Sequence, residues 1–132
     1  MKKVLLDTNA YSGYLAGDKT VFQAIAEAES VFLSVIVLGE LYAGFRGGTK
    51  FKFNIEILNK FLLKPTVNVL SVTEETSTVF GQIKNDLKQA GTPIPINDVW
   101  LASQAIESGS VLITYDDHFS NVAGLRIFDL LF

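Results

Sequence analysis

The strongest constraint on this chain is the way its apolar residues change period. Short continuous apolar runs alternate with longer segments in which apolar residues recur at helical spacing. Lys3-Val4-Leu5-Leu6, Val31-Phe32-Leu33, Val67-Asn68-Val69-Leu70 and Val111-Leu112-Ile113-Thr114 read as strands. Between them the spacing predicts helices from Ala10, over Thr20 to Ala28, Val35 to Phe45, Phe51 to Leu63, Thr73 to Ala90 and Asp98 to Ser108. Asp7-Thr8-Asn9, Ser34 and Asn97 offer capping side chains, and Gly17-Asp18, Gly47-Gly48, Pro65, Gly91 and Gly109 supply the breaks. Leu125-Arg126-Ile127-Phe128 reads as a short fifth strand.

Strands that are apolar throughout are buried on both faces, which requires a mainly parallel sheet covered by helices on each side. The expected fold is therefore α/β, a three-layer α/β/α sandwich around four to five strands. A chain of 132 residues fits one domain, 1–132. Hydrophobic residues make up 48%, so the chain is not of the disordered class. It has no cysteine, which excludes a disulfide framework, a thiolate zinc site and a cysteine nucleophile. The apolar run after Lys2-Lys3 is only Val4-Leu5-Leu6, too short for a secretory leader, and no uncharged stretch is longer than Ser30 to Gly39, which is too short to span a bilayer. The expected location is cytoplasmic.

Four acids stand where local structure does not ask for them. In open α/β sheets, ligands bind beyond the carboxyl ends of the strands, at the switch in strand order. Asp7 follows the first strand and Asp116 follows the fourth. Glu40 has Ile36, Val37, Ala43 and Gly44 as its helical neighbours, and no lysine or arginine is placed to pair with it on its own helix. An unpaired carboxylate among apolar residues is costly unless it is neutralised, paired or coordinated. Asp98 opens a mostly apolar helix, where an acid is already favourable, so alone it proves nothing. Together the four suggest one pocket. Clustered carboxylates repel unless cations sit between them, and oxygen-only ligands select hard ions such as Mg²⁺ or Mn²⁺. With one histidine and no G-x-x-x-x-G-K-[ST] loop, no other catalytic set competes.

These residues resemble a known family. Asp7-Thr8-Asn9, Gly39-Glu40-Leu41, Asn97-Asp98-Val99-Trp100-Leu101-Ala102 and Thr114-Tyr115-Asp116-Asp117-His118-Phe119 look like the motifs of a PIN domain, and more closely of the VapC toxins of VapBC toxin–antitoxin modules. The four lie in order and span almost the whole chain. The resemblance implies an endoribonuclease that hydrolyses RNA phosphodiesters by metal-activated water, leaving a 5′-phosphate and a 3′-hydroxyl. It implies Mg²⁺ or Mn²⁺ as cofactor, and Asp7, Glu40, Asp98 and Asp116 as the catalytic and metal-site acids. Asp7 and Asp98 would bind the ion directly, with Glu40 and Asp116 acting through water. Thr8 and Asn9 would shape the pocket and Thr114 would help position the attacking water. Of the adjacent pair, Asp116 is expected in the site and Asp117 at the cap of the next turn. A VapB-like antitoxin and a homodimer are the implied protein partners.

Other features are less specific. Tyr42, Phe45, Arg46, Lys50, Phe51, Lys52 and Phe53 interleave aromatics and bases. Arg46, Lys50 and Lys52 can contact RNA or antitoxin, or simply be solvated above aromatics in the core. His118, beside Phe119, reads as a turn residue, Trp100 as core or interface, and Lys84 and Lys88 as cations suited to their helix end. Ten phenylalanines and the end Leu130-Leu131-Phe132 suggest more apolar surface than a monomer hides. Two rival readings are a Mg²⁺-dependent phosphatase and an inactive PIN scaffold that binds RNA or protein. The absence of D-x-D, with Asn9 in the second position, counts against the first, and the four acids count against the second. The formal net charge is −3, which taken alone argues against nucleic-acid binding. Setting the four acids aside leaves 10 acids against 11 bases, so the negative balance is concentrated in the proposed pocket.

Overall fold

A computed structural model describes residues 2–131. Its strands are β1 (Lys3–Leu6), β2 (Ser30–Ser34), β3 (Val67–Leu70) and β4 (Val111–Ile113). Its helices are α1 (Thr8–Leu15), α2 (Lys19–Glu27), α3 (Val35–Arg46), α4 (Phe51–Leu62), α5 (Glu74–Ala90) and α6 (Ile96–Ser108). The strands form one sheet in the order β3-β2-β1-β4, and every pairing is parallel.

Alternate residues of each strand serve two cores, as the pleat requires. Val4, Leu6, Val31, Leu33, Val67 and Ile113 face α1 to α4, where they meet Tyr11, Val21, Ile25, Val37, Leu41, Leu58 and Phe61. Leu5 and Leu112 face the opposite layer, where they join Ile83 and Leu87 of α5, Val99, Ala102 and Ala105 of α6, and Phe119. The architecture is the three-layer sandwich with four strands. Leu125–Phe128 does not form a fifth: it makes one isolated bridge, Ile127 to Leu112. The chain turns at Gly124, whose φ is +81°, and Leu125 and Ile127 lie against the second core without a second strand-like pair.

Helix boundaries follow local chemistry. Asp18 is more than a break: its Oδ1 accepts from the amides of Thr20 and Val21 and starts α2. Ser34 caps α3 by accepting from Ile36. Thr73 and Thr76 close a capping box on α5. Asn97 is not a cap. Helix α6 begins one residue before it, at Ile96, because Pro95 presets the backbone and its carbonyl accepts from Asp98 and Val99. Two large aromatic side chains are exposed, Phe22 stacked on Tyr14 and Phe53 on α4. Trp100 is half-buried and stacks on Phe80, joining α6 to α5. The side chain of Leu130 and all of Phe132 lie outside the described residues, and Leu131 packs on the first core.

Leu6 is fully buried and sits immediately before Asp7. Leu6→Ala should lower stability by about 2–5 kcal/mol, read by urea unfolding, because a cavity opens between the sheet and α1. A loss below about 1 kcal/mol would show that this layer collapses around the gap.

Candidate active site

Strand order determines where the site forms. The chain runs from β1 outward to β2 and β3, then crosses back to place β4 on the other side of β1. The switch lies between β1 and β4, whose final residues, Leu6 and Ile113, are in register. The next residues are Asp7 and Thr114, so the crossover sets them side by side at the carboxyl edge. The amide of Asp7 donates to the Ile113 carbonyl (3.2 Å), and the Thr114 hydroxyl donates to Asp7 Oδ2. Asp7 Oδ1 accepts from the amide of Ala10 (2.8 Å), which makes Asp7 the cap of α1.

Thr8 is the first residue of α1, and its hydroxyl donates to Glu40 Oε1 of α3 (2.7 Å). Asp98 lies in the first turn of α6, and Asp116 follows β4, its amide donating to Thr114 Oγ1 (3.0 Å). Asp7, Thr8, Asn9, Glu40, Asp98 and Asp116 line one open cleft of about 390 Å³, closed by Pro95, Ile96, Asn97 and Leu101. Among the described residues its lining includes four carboxylates and no lysine, arginine or histidine.

The electrostatics follow from this lining. Asp7 is 4% exposed, and burial pushes its carboxyl up to about 6. Its bonds from Thr114 and Ala10 oppose that rise, while the charges of Asp116 and Asp98 add to it. Burial also raises Asp98, and a bond to His118 opposes this. Glu40 departs from expectation in being exposed rather than withdrawn from water. Gly39 and Gly44 on the same helix are also exposed, and a Cβ at either would meet open space.

Three acids of one sign next to a buried fourth suit a hard divalent cation. The carboxylates do not close into a cage: among the described residues, no three His, Cys, Asp or Glu side chains gather tightly enough to hold an ion. That spacing suits an ion bound by one or two carboxylates that keeps several waters, as Mg²⁺ does. Buried Asp7, hydrogen-bonded at both oxygens but facing no cation, is the donor such an ion would meet at the cleft floor.

Some expected residues stand elsewhere. Arg46, Lys50 and Lys52 are exposed, and none lines the cleft. Arg46 lies over the ring of Phe51, 4.4 Å from its centre. Asp117 opens a 3-10 turn, Asp117–Asn121, without a side-chain cap; its carbonyl accepts from Ser120. His118 is more than a turn residue, because its Nε2 lies 2.9 Å from Asp98 Oδ2. Its position two residues past Asp116, on a turn leading back towards α6, was the available signal. Tyr115 was also missed: its hydroxyl donates to Asp18 Oδ2 (2.6 Å), away from the cleft acids.

The PIN domain family matches residues 4–125. Ribonuclease VapC1 of Haemophilus influenzae strain R2866 is 34% identical over 99 residues, covering 74% of this chain and 72% of that protein. The solved structure of VapBC-1 from nontypeable Haemophilus influenzae matches with a TM-score of 0.84 at 26% identity, covering 96% of this chain and 97% of that one. DNA-bound VapBC from Salmonella typhimurium matches with a TM-score of 0.85 at 25% identity, covering 97% and 98%. The chain belongs to the PIN domain family and, within it, to the VapC ribonucleases.

The raised Asp7 carboxyl has a consequence for stability. Its folded value of about 6 exceeds the ordinary 3.8, so the folded chain holds the proton more tightly. The stabilisation from that proton is complete below 3.8 and is lost as pH rises through about 6. Asp7→Asn keeps a capping oxygen and removes the charge. Without metal, Asp7→Asn should exceed the parent in stability by up to about 3 kcal/mol above pH ~7, and match it near pH ~4. Urea unfolding in EDTA at both pH values checks this, and equal stability at the higher pH would refute it.

Proposed function

We propose that this chain is the toxin of a type II toxin–antitoxin pair, an endoribonuclease that hydrolyses RNA phosphodiesters with Mg²⁺ or Mn²⁺. The observation that carries the reading is the cleft itself: four carboxylates from four separate parts of the chain at the sheet's switch point, with no basic residue in the lining among the described residues. Membership of the VapC ribonucleases supports the same activity.

Asp7 and Asp98 would hold the ion, with Glu40 and Asp116 orienting water around it. When bound, the ion supplies a Lewis acid that acidifies water and neutralises charge on the phosphate. The protein's contribution is placement. Thr114 and the Ala10 amide hold both oxygens of Asp7. Thr8 holds Glu40 at Oε1, leaving its second oxygen to the cleft. His118 holds one oxygen of Asp98 and leaves the other free for a ligand. Asn9 borders the substrate space. A lining whose charged side chains are all acidic repels RNA phosphates until a cation offsets it, so substrate and ion bind together.

The protein partner is a VapB-like antitoxin. The solved VapBC relatives support it, and so do exposed Leu15, Phe22, Phe53 and Leu63, which give a partner apolar surface to cover. The chain acts as a homodimer in the cytoplasm. No helix among the described residues is long and apolar enough to cross a membrane.

Incubation with RNA should give cleavage with Mn²⁺ or Mg²⁺, none with EDTA, and a fall of at least about 100-fold in Asp7→Ala or Asp98→Ala. Undiminished cleavage in EDTA would overturn the proposal. RNA affinity of the Glu40→Gln variant should depend less on added Mn²⁺ than that of the parent, measured by fluorescence anisotropy. An equal dependence would remove Glu40 from the site.

A further inference from the structure

The segment that carries Asp116 is tied down on both sides, and one tie lies outside the cleft. Thr114 bonds to Asp7 and His118 to Asp98, both cleft acids. Tyr115, between Thr114 and Asp116, reaches instead to Asp18 at the corner between α1 and α2. Asp18 does not need this bond for its capping role, because Oδ1 alone accepts from Thr20 and Val21 while Oδ2 takes the phenol.

The path of the phenol accounts for another oddity. Gly13 lies inside α1, where glycine costs about 1 kcal/mol relative to alanine. Its φ is not positive, so no turn requires it. A Cβ at Gly13 would stand 2.1 Å from the Tyr115 oxygen and 2.9 Å from Cζ. The helix leaves out a side chain where the phenol crosses it.

Asp116 needs such restraint. It sits on extended backbone with no side-chain cap bond of its own, and it lines the same cleft as Asp7, Glu40 and Asp98, groups that carry like charge when ionised. Like charges gathered in one cleft push outward on the loop that carries one of them, and a tie outside the cleft opposes that push. We propose that Tyr115, threaded over Gly13 and bonded to Asp18, is a positioning residue that holds Asp116 at the ion site against the repulsion of the other acids. This rests on the assignment of the cleft as the ion site. It adds a residue group, Gly13, Asp18 and Tyr115, that touches neither substrate nor ion.

The test compares Tyr115→Phe, Asp18→Ser and the double variant. Phenylalanine keeps the ring over Gly13 and removes only the hydroxyl. Serine still caps α2 but is too short to reach Tyr115. Mn²⁺ affinity is read by calorimetry on the full chain, and kcat and KM are read on RNA. Each single variant should weaken Mn²⁺ binding several-fold and, at saturating Mn²⁺, lower kcat about tenfold with KM unchanged, and the double should be no worse than either single. Parent-like Mn²⁺ affinity in Tyr115→Phe, or additive losses in the double, would overturn the inference. The calorimetric arm stands apart from the ribonuclease reading: a parent chain that binds Mn²⁺ but cuts no RNA would sink that reading and leave the tether testable.

Discussion

The structure depends on the junction of Asp7 with Thr114. One carboxylate ends a strand, starts a helix and floors a cleft. Its Oδ1 orders the first turn of α1, and its Oδ2 accepts the hydroxyl of the residue that follows β4. Because β1 and β4 are adjacent and parallel, two residues 107 positions apart meet without any long side chain having to reach. The remaining acids are placed relative to this junction: Glu40 through Thr8, Asp116 through Thr114, and Asp98 through the turn that carries His118.

Much of this was legible in the amino-acid order, for reasons particular residues make plain. The runs at Val4-Leu5-Leu6 and Val111-Leu112-Ile113 are apolar at every position because both faces of the sheet are covered. Glu40 stood out because nothing near it on its helix was polar enough to explain it. What could not be read depended on pairing between distant elements. Asn97 has the chemistry of a cap, but Pro95 had already started the helix. Leu125–Phe128 has the composition of a strand, but only Ile127 finds a strand partner. Glu40 is exposed although its helical neighbours are mostly apolar, because exposure is set by what the rest of the chain packs against α3, which a count of neighbours along one helix does not register. His118 and Tyr115 acquire their meaning from Asp98 and Asp18, 20 and 97 residues away.

The charge distribution also reads differently in three dimensions. A net charge of −3 suggests a chain indifferent to nucleic acid. The structure places four of the acids in one concavity and leaves the rest of the surface nearly balanced. Such a concavity works against its own fold: the buried Asp7 is held away from its ordinary ionisation by the protein around it. Strain of this sort is common where a protein prepares a place for a charged ligand, and the stability it lacks alone is returned when the ligand arrives.

The outer side of β4 has a further importance. This edge strand is three residues long, and at its centre both the amide and the carbonyl of Leu112 are engaged by the returning segment, through Arg126 and Phe128. No row of free backbone groups remains there for a foreign strand to add to. The exit of β4, where Thr114, Tyr115 and Asp116 follow one another, is thus insulated from strand exchange. A protein that extends this sheet with a strand of its own is directed to the far edge at β3, away from the strand that aims the acids.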